Sequence, residues 1–397
     1  MNMYTERLSR EIDAISIEDE NFAEELFQVA DLFRPFSEAM DEFLAAHGYQ
    51  DDVSDVERKV SFLREKFKNA GITPPRDMRK WFTEGKFISR ETAYQICFAF
   101  RLNVEETERF FQRVYARDRG FDCHMMKEAV YYFCIRNGYS YPDAEEIFGS
   151  RTPDQAAEGQ RENAEVVLTG SIIEELNGLE SREDMKEWLD KNADKFNRNN
   201  VTAYNAIQRL WKEIASPNGL LFQEREKNLP SLLDEDDSGI WRQVQPDDRE
   251  ISVDDAYFAI FQLDRKIVQR LESDRSIKPI LKRLHENARE SFPDRQGIQK
   301  ILRGDKTSYE TIRKWLILLS FYTFWARKAI DRGQYTARGG ENVRCVTEMN
   351  ARLVDAGYPE MYVGNPYDWV FFYAAEDDEP LFIFRYIWNE LLTEALE

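Results

Sequence analysis

Residues 74–92 read PPRDMRKWFTEGKFISRET, and residues 293–311 read PDRQGIQKILRGDKTSYET. Displaced by 219 positions, without a gap, the two stretches coincide at Pro74/Pro293, Arg76/Arg295, Gly85/Gly304, Ser89/Ser308, Glu91/Glu310 and Thr92/Thr311. Each describes one device: a short basic helix, a glycine that stops it, and a serine that caps the helix after it. A chain that carries this device twice is committed to helical structure at both places.

The rest of the chain follows the same period. SDVERKVSFLREKFKNAG opens at Ser54, carries Val56, Val60, Leu63 and Phe67 on one side, and has Gly71 just past its end. Asn103 and Glu106 form a capping-box start for VEETERFFQRVY. MKEAVYYFCIRNG ends at Gly138, and Pro142 opens another short helix. The C-terminal WVFFYA and LFIFRYIW runs read as two helices rather than two strands. Asp378, Glu379 and Pro380 place acids and a proline at a helix start, and Leu381 to Leu396 is long for a strand. The expected fold is all-α: multi-helix bundle units containing the two repeated elements.

Breaks in the pattern divide the chain. Residues 1–149 read as an N-terminal helical unit with the first copy. SRTPDQAAEGQRENAE, in 150–165, reads as a polar linker, and 166–230 as a middle helical unit. Between Asp234 and Asp255 stand nine acidic residues against two arginines, so 231–256 reads as an acidic loop. Residues 257–397 form the C-terminal unit with the second copy.

Charge distinguishes the two copies. The 397-residue chain carries a formal net charge of −20, which repels nucleic acid on average. Residues 276–338 nonetheless hold fourteen Lys and Arg against six Asp and Glu. This basic segment is the leading candidate for a surface that faces a polyanion.

In the first copy, Thr73 suits a cap and Pro74 a first helical position. Arg76, Arg79 and Lys80 then fall on a polar side, opposite Met78, Trp81 and Phe82. In the second, Arg295, Gln296, Gln299, Lys300 and Arg303 are polar, opposite Ile298, Ile301 and Leu302, and Lys306 follows. Arginine pairs with guanine edges and glutamine with adenine edges, while flanking Lys and Arg neutralise phosphates and fix register. Two stretches carry a family resemblance: Lys80-Trp81 … Glu84-Gly85-Lys86 … Ser89 … Thr92 … Ile96 … Ala99, and Gln299-Lys300-Ile301-Leu302-Arg303-Gly304 … Ser308 … Thr311-Ile312. They resemble the passage from the recognition helix into the next helix of phage-repressor-like (XRE-type) helix-turn-helix domains. The resemblance spans roughly 30 residues per copy. It implies that Arg76, Arg79 and Lys80 face DNA in the first copy, and Gln296, Gln299 and Lys300 in the second.

No constellation for catalysis stands out. His47, His124 and His285 are far apart, and no Cys/His set has metal-ligand spacing. Walker, GxGxxG and GxSxG motifs are absent. Cys97, Cys123, Cys134 and Cys345 lack a CxxC spacing, which suits a reduced, cytoplasmic chain. WLILLSFYTFWA, the longest apolar run, is too short to span a bilayer and reads as a buried helix. The expectation is therefore a non-enzymatic, cofactor-free and metal-free regulator. It binds double-stranded DNA through 276–338, with a protein partner or self-association and no membrane. The competing expectation is an acidic interaction scaffold or inhibitor, DNA-mimicking in charge, for a basic nucleic-acid-handling partner.

Overall fold

A computed structural model describes residues 12, 15–19, 21–30, 33–115, 120–123, 125–149, 169–193, 196, 201–226, 251–261, 284, 293–305 and 307–393. Among them the structure is helical, with no strand. No helix among them is long and apolar enough to cross a membrane. The chain gathers into two compact units, residues 34–199 and residues 2–33 with 200–397. The 150–165 stretch lies outside the described residues.

The second unit starts with α1 (Phe22–Ala30), and the chain then builds the whole first unit. That unit contains α2 (Phe36–Ala46), α3 (Val56–Asn69), α4 (Met78–Thr83), α5 (Arg90–Ala99) and α6 (Val104–Phe110), which runs on into a π-turn at Phe111–Tyr115. After it come α7 (Met126–Asn137), α8 (Tyr141–Phe148), α9 (Thr169–Asn177) and α10 (Arg182–Lys191). The second unit resumes with α11 (Val201–Ala215) and α12 (Leu220–Glu226). The 166–230 stretch is thus shared: α9 and α10 pack on α7 and α8, while α11 and α12 pack on a long central helix of the second unit. That helix, α15 (Tyr309–Arg332), is flanked by α13 (Val253–Phe261), α14 (Arg295–Arg303), α16 (Glu341–Asp355), α17 (Pro366–Glu376) and α18 (Pro380–Thr393). The Trp315–Ala326 run is buried inside α15, and all four cysteines are buried and unpaired.

Local chemistry sets the helix starts. Asp55, not Ser54, caps α3 by accepting the Arg58 amide at 3.1 Å, because Ser54 is drawn to Asp52 at 2.8–2.9 Å. The capping box of Asn103 and Glu106 forms at α6. Ser252 accepts the Asp255 amide at 3.1 Å and donates to its carboxylate at 2.6 Å. Residues 253–256, read from sequence as the end of an acidic loop, are therefore the first turn of α13, where acids favour the helix dipole.

The repetition goes deeper than the 19-residue echo. The third residue of α7 is Glu128, and the third residue of α17 is Asp368. Each acid accepts a backbone amide from six residues upstream: Asp122 N at 2.7 Å, Tyr362 N at 2.9 Å. Each is gripped by an arginine fork from the helix after the glycine stop. Arg90 of α5 reaches Glu128 at 2.6 and 2.8 Å, and Arg313 of α15 reaches Asp368 at 2.9 and 2.7 Å. Tyr131-Tyr132-Phe133 follows the first acid and Phe371-Phe372-Tyr373 the second, at the same distance. Both units use one side-chain plan to lock the device onto its neighbouring aromatic helix.

At the start of α16, Glu341 accepts from Arg332 and from the Arg338 amide at 3.0 Å, with Lys328 3.5 Å away. The Arg332 hydrogen bond leads in holding its carboxyl at about 2, below the ordinary 4.5. A depressed carboxyl adds stability that is full above its unfolded pKa and vanishes as pH falls through its folded one. The stability advantage of the wild type over Glu341→Gln, measured by urea unfolding, is expected to shrink from about pH 4.5 down to about pH 2.

Candidate nucleic-acid interface

The second copy forms as a complete device. Asp294 caps α14 by accepting the Gly297 amide at 2.7 Å. Gly304 ends the helix in the left-handed region at φ 78°, which a side chain disfavours. Ser308 then caps α15 by accepting the Thr311 amide at 3.1 Å. Ile298 and Ile301 are fully buried, and α14 packs on α11, α13 and α15.

Gly297 sets how closely α14 seats. A Cβ there would stand 2.8 Å from Thr311 Cγ2 and 3.2 Å from Trp315 Nε1. Gly297→Val is expected to lower stability by about 1–3 kcal/mol in urea unfolding, because the branched side chain has to push α14 off α15.

The opposite face of α14 is polar. Arg295, Gln296, Lys300 and Arg303 are exposed, and Gln299 is half-buried. Two of these residues meet an acid on α13. Gln299 Nε2 donates to Asp254 Oδ1 at 3.2 Å, and Arg295 lies 3.9 Å from the same oxygen with its guanidinium 5.2 Å from the Phe258 ring centroid. Lys300 and Arg303 have no acid partner among the described residues. Lys306 lies outside those residues, as do Lys278, Lys282, Arg283 and Arg289.

Most remaining cations of 276–338 are already occupied. Arg313 is buried on Asp368, and Lys314 is held by Glu310. Arg327 clasps Glu213, while Lys328 and Arg332 hold Glu341. Of the nine described cations of the segment, five are thus paired with carboxylates of the unit, and three of the other four, Arg295, Lys300 and Arg303, lie on α14.

The first copy departs from its sequence reading at the start. Thr73 and Pro74 lie before the helix, Arg76 sits in a turn, and α4 begins at Met78. Pro75 explains this, since a residue followed by proline is pushed out of the helical region. The six-residue α4 is anchored by Met78 and Trp81, both buried, and by Lys59 of α3. The Lys59 ammonium lies 4.3 Å from the Phe82 ring centroid and donates to Asp41 at 2.6 Å. Arg76, Arg79 and Lys80 are exposed, but Arg79 pairs with Glu57 and Lys80 with Glu84, each at 3.2 Å. Lys86 pairs with Asp77 at 2.8 Å, and that hydrogen bond leads in lowering the Asp77 carboxyl pKa. Three of the four exposed cations of the first copy are thus paired with acids.

Comparison of this chain with protein-family models, with curated proteins and with solved structures finds no match.

Proposed function

We propose that this is a cytoplasmic DNA-binding regulatory protein that contacts duplex DNA through α14. One observation carries the reading. The solvent face of α14 holds Gln296, Lys300 and Arg303 beside Arg295 and Gln299, with no acid partner for Lys300 or Arg303 among the described residues. A short exposed helix seated by a glycine contact and followed by a capped helix suits the major groove. Arg295, Gln296 and Gln299, near its start, are the base-reading groups, and Lys300 and Arg303, in its last turn, the phosphate contacts. The likeness of both copies to phage-repressor-like helix-turn-helix sequences supports the same reading.

Fluorescence anisotropy of the full chain with a mixed-sequence duplex tests it, at about 50 mM and about 150 mM salt. Binding that weakens steeply with salt is the expected outcome. Absence of binding at the lower salt would sink the proposal. It would favour the alternative, an acidic scaffold that engages a basic protein, for which the paired Arg79, Lys80 and Lys86 of the first copy and the −20 net charge speak.

A further inference from the structure

We infer that the DNA-facing surface continues from α14 onto α11, where Arg209 and Lys212 contact backbone phosphates; this rests on the DNA reading above. The sequence of α11 is VTAYNAIQRLWKEIA. Ala203, Ile207, Leu210, Trp211 and Ile214 are buried on one side. Asn205, Gln208, Arg209 and Lys212 are exposed, at a spacing of i, i+3, i+4 and i+7, which places them in one stripe. The only acid of the helix, Glu213, is taken up by the Arg327 fork from α15. Arg209 donates to the Asn205 carbonyl of its own helix at 3.2 Å, and neither cation of the stripe has an acid partner among the described residues.

The stripe is tied to the candidate interface. α11 packs on α14, and Tyr204 Oη donates to the Asp305 carbonyl at 2.7 Å. That bond joins the first turn of α11 to the turn that ends α14, next to Lys300 and Arg303. At 1.5 Å per residue, Arg209 stands about 7.5 Å and Lys212 about 12 Å along the axis from Tyr204. A duplex whose major groove is about 12 Å wide presents phosphates across this range once α14 enters the groove. Cations supply the attraction, and the Asn205 and Gln208 amides donate to phosphate oxygens without selecting sequence. Where α15 spends its cations on internal carboxylates, α11 leaves two uncompensated beside two more on α14.

The test is the salt dependence of duplex affinity for the full chain. Each phosphate contact contributes about 0.9 to the slope of log K against log salt. Arg209→Gln/Lys212→Gln is expected to make the slope shallower by about 1.8 and to weaken binding more than about tenfold at about 50 mM salt. Arg344→Gln/Arg352→Gln removes the same charge from α16, outside the basic segment, and is expected to leave the slope unchanged. Circular dichroism establishes that both variants fold. An unchanged slope in Arg209→Gln/Lys212→Gln, or an equal loss in the α16 control, overturns the extension. If Lys300→Glu/Arg303→Glu still abolishes binding in that case, the α14 reading stands alone. If the wild type binds no duplex at low salt, both fall.

Discussion

Lys300→Glu/Arg303→Glu is expected to abolish measurable binding of duplex DNA while leaving the protein folded. Two phosphate contacts at about 0.9 released counterion each are worth roughly a hundredfold in affinity at about 50 mM salt. Charge reversal adds repulsion to that loss, and the −20 net charge of the chain offers no compensation. Both side chains are exposed in the last turn of α14. Their removal costs a favourable interaction with the helix C-terminus of about 0.3–1 kcal/mol each, too little to unfold a unit of this size. The same reversal on the first copy, Arg79→Glu/Lys80→Glu, is expected to change duplex affinity by about twofold or less. Those two cations already face Glu57 and Glu84, and a screened surface pair yields little when it changes partner. Anisotropy titrations of the two variants side by side check the prediction. Equal losses in both would show a net-charge effect rather than an α14 interface.

The asymmetry between the copies was only half readable in the sequence. Glycine stops, serine caps and apolar spacing announced both devices, because they act within a few residues of themselves. The start of α4 was misread, since the favourable first-turn reading of Pro74 ignored the restriction imposed by Pro75. Charge was misjudged for a different reason. A count over 276–338 treats Arg313, Lys314 and Arg327 as uncompensated charge, yet the partners of Arg313 and Arg327, Asp368 and Glu213, lie outside that segment, and Glu310 sits one turn from Lys314. The deeper repeat also escaped, because the echo at 219 positions becomes 240 at Glu128 and Asp368. The segments between the device and the aromatic helix differ in length, so no ungapped comparison aligns them. Asp254 shows the same limit: the sequence placed it in an acidic loop, and the fold sets it in the first turn of α13, beside Arg295 and Gln299.

Arg385→Ala is expected to destabilise the second unit by about 3–5 kcal/mol, the largest stability effect of a single substitution proposed for this chain. Arg385, 2% exposed, reaches across the unit from α18. Its Nη1 and Nη2 donate to Glu224 of α12 at 2.7 and 3.1 Å, and its Nε donates to the Ile260 carbonyl of α13 at 3.0 Å. Tyr322 of α15 donates to the same carboxylate at 2.7 Å, and Tyr335 donates to it as well. Burial pushes the Glu224 carboxyl upward, but the Arg385 guanidinium and the two tyrosine hydroxyls outweigh it and hold the group below its ordinary range. Removing the arginine leaves a buried carboxylate without its counter-charge, which either takes up a proton or draws water into the core. Glu224→Leu/Arg385→Leu removes both charges and is expected to recover part of the loss, because the penalty lies in the uncompensated charge rather than in the missing bond. It does not recover all of it, since Tyr322 and Tyr335 then lose their acceptor. Chemical denaturation of the three proteins at neutral pH, followed by far-ultraviolet circular dichroism, distinguishes these cases. A double variant as unstable as Arg385→Ala would place the cost in packing and tyrosine hydrogen bonding instead of in charge.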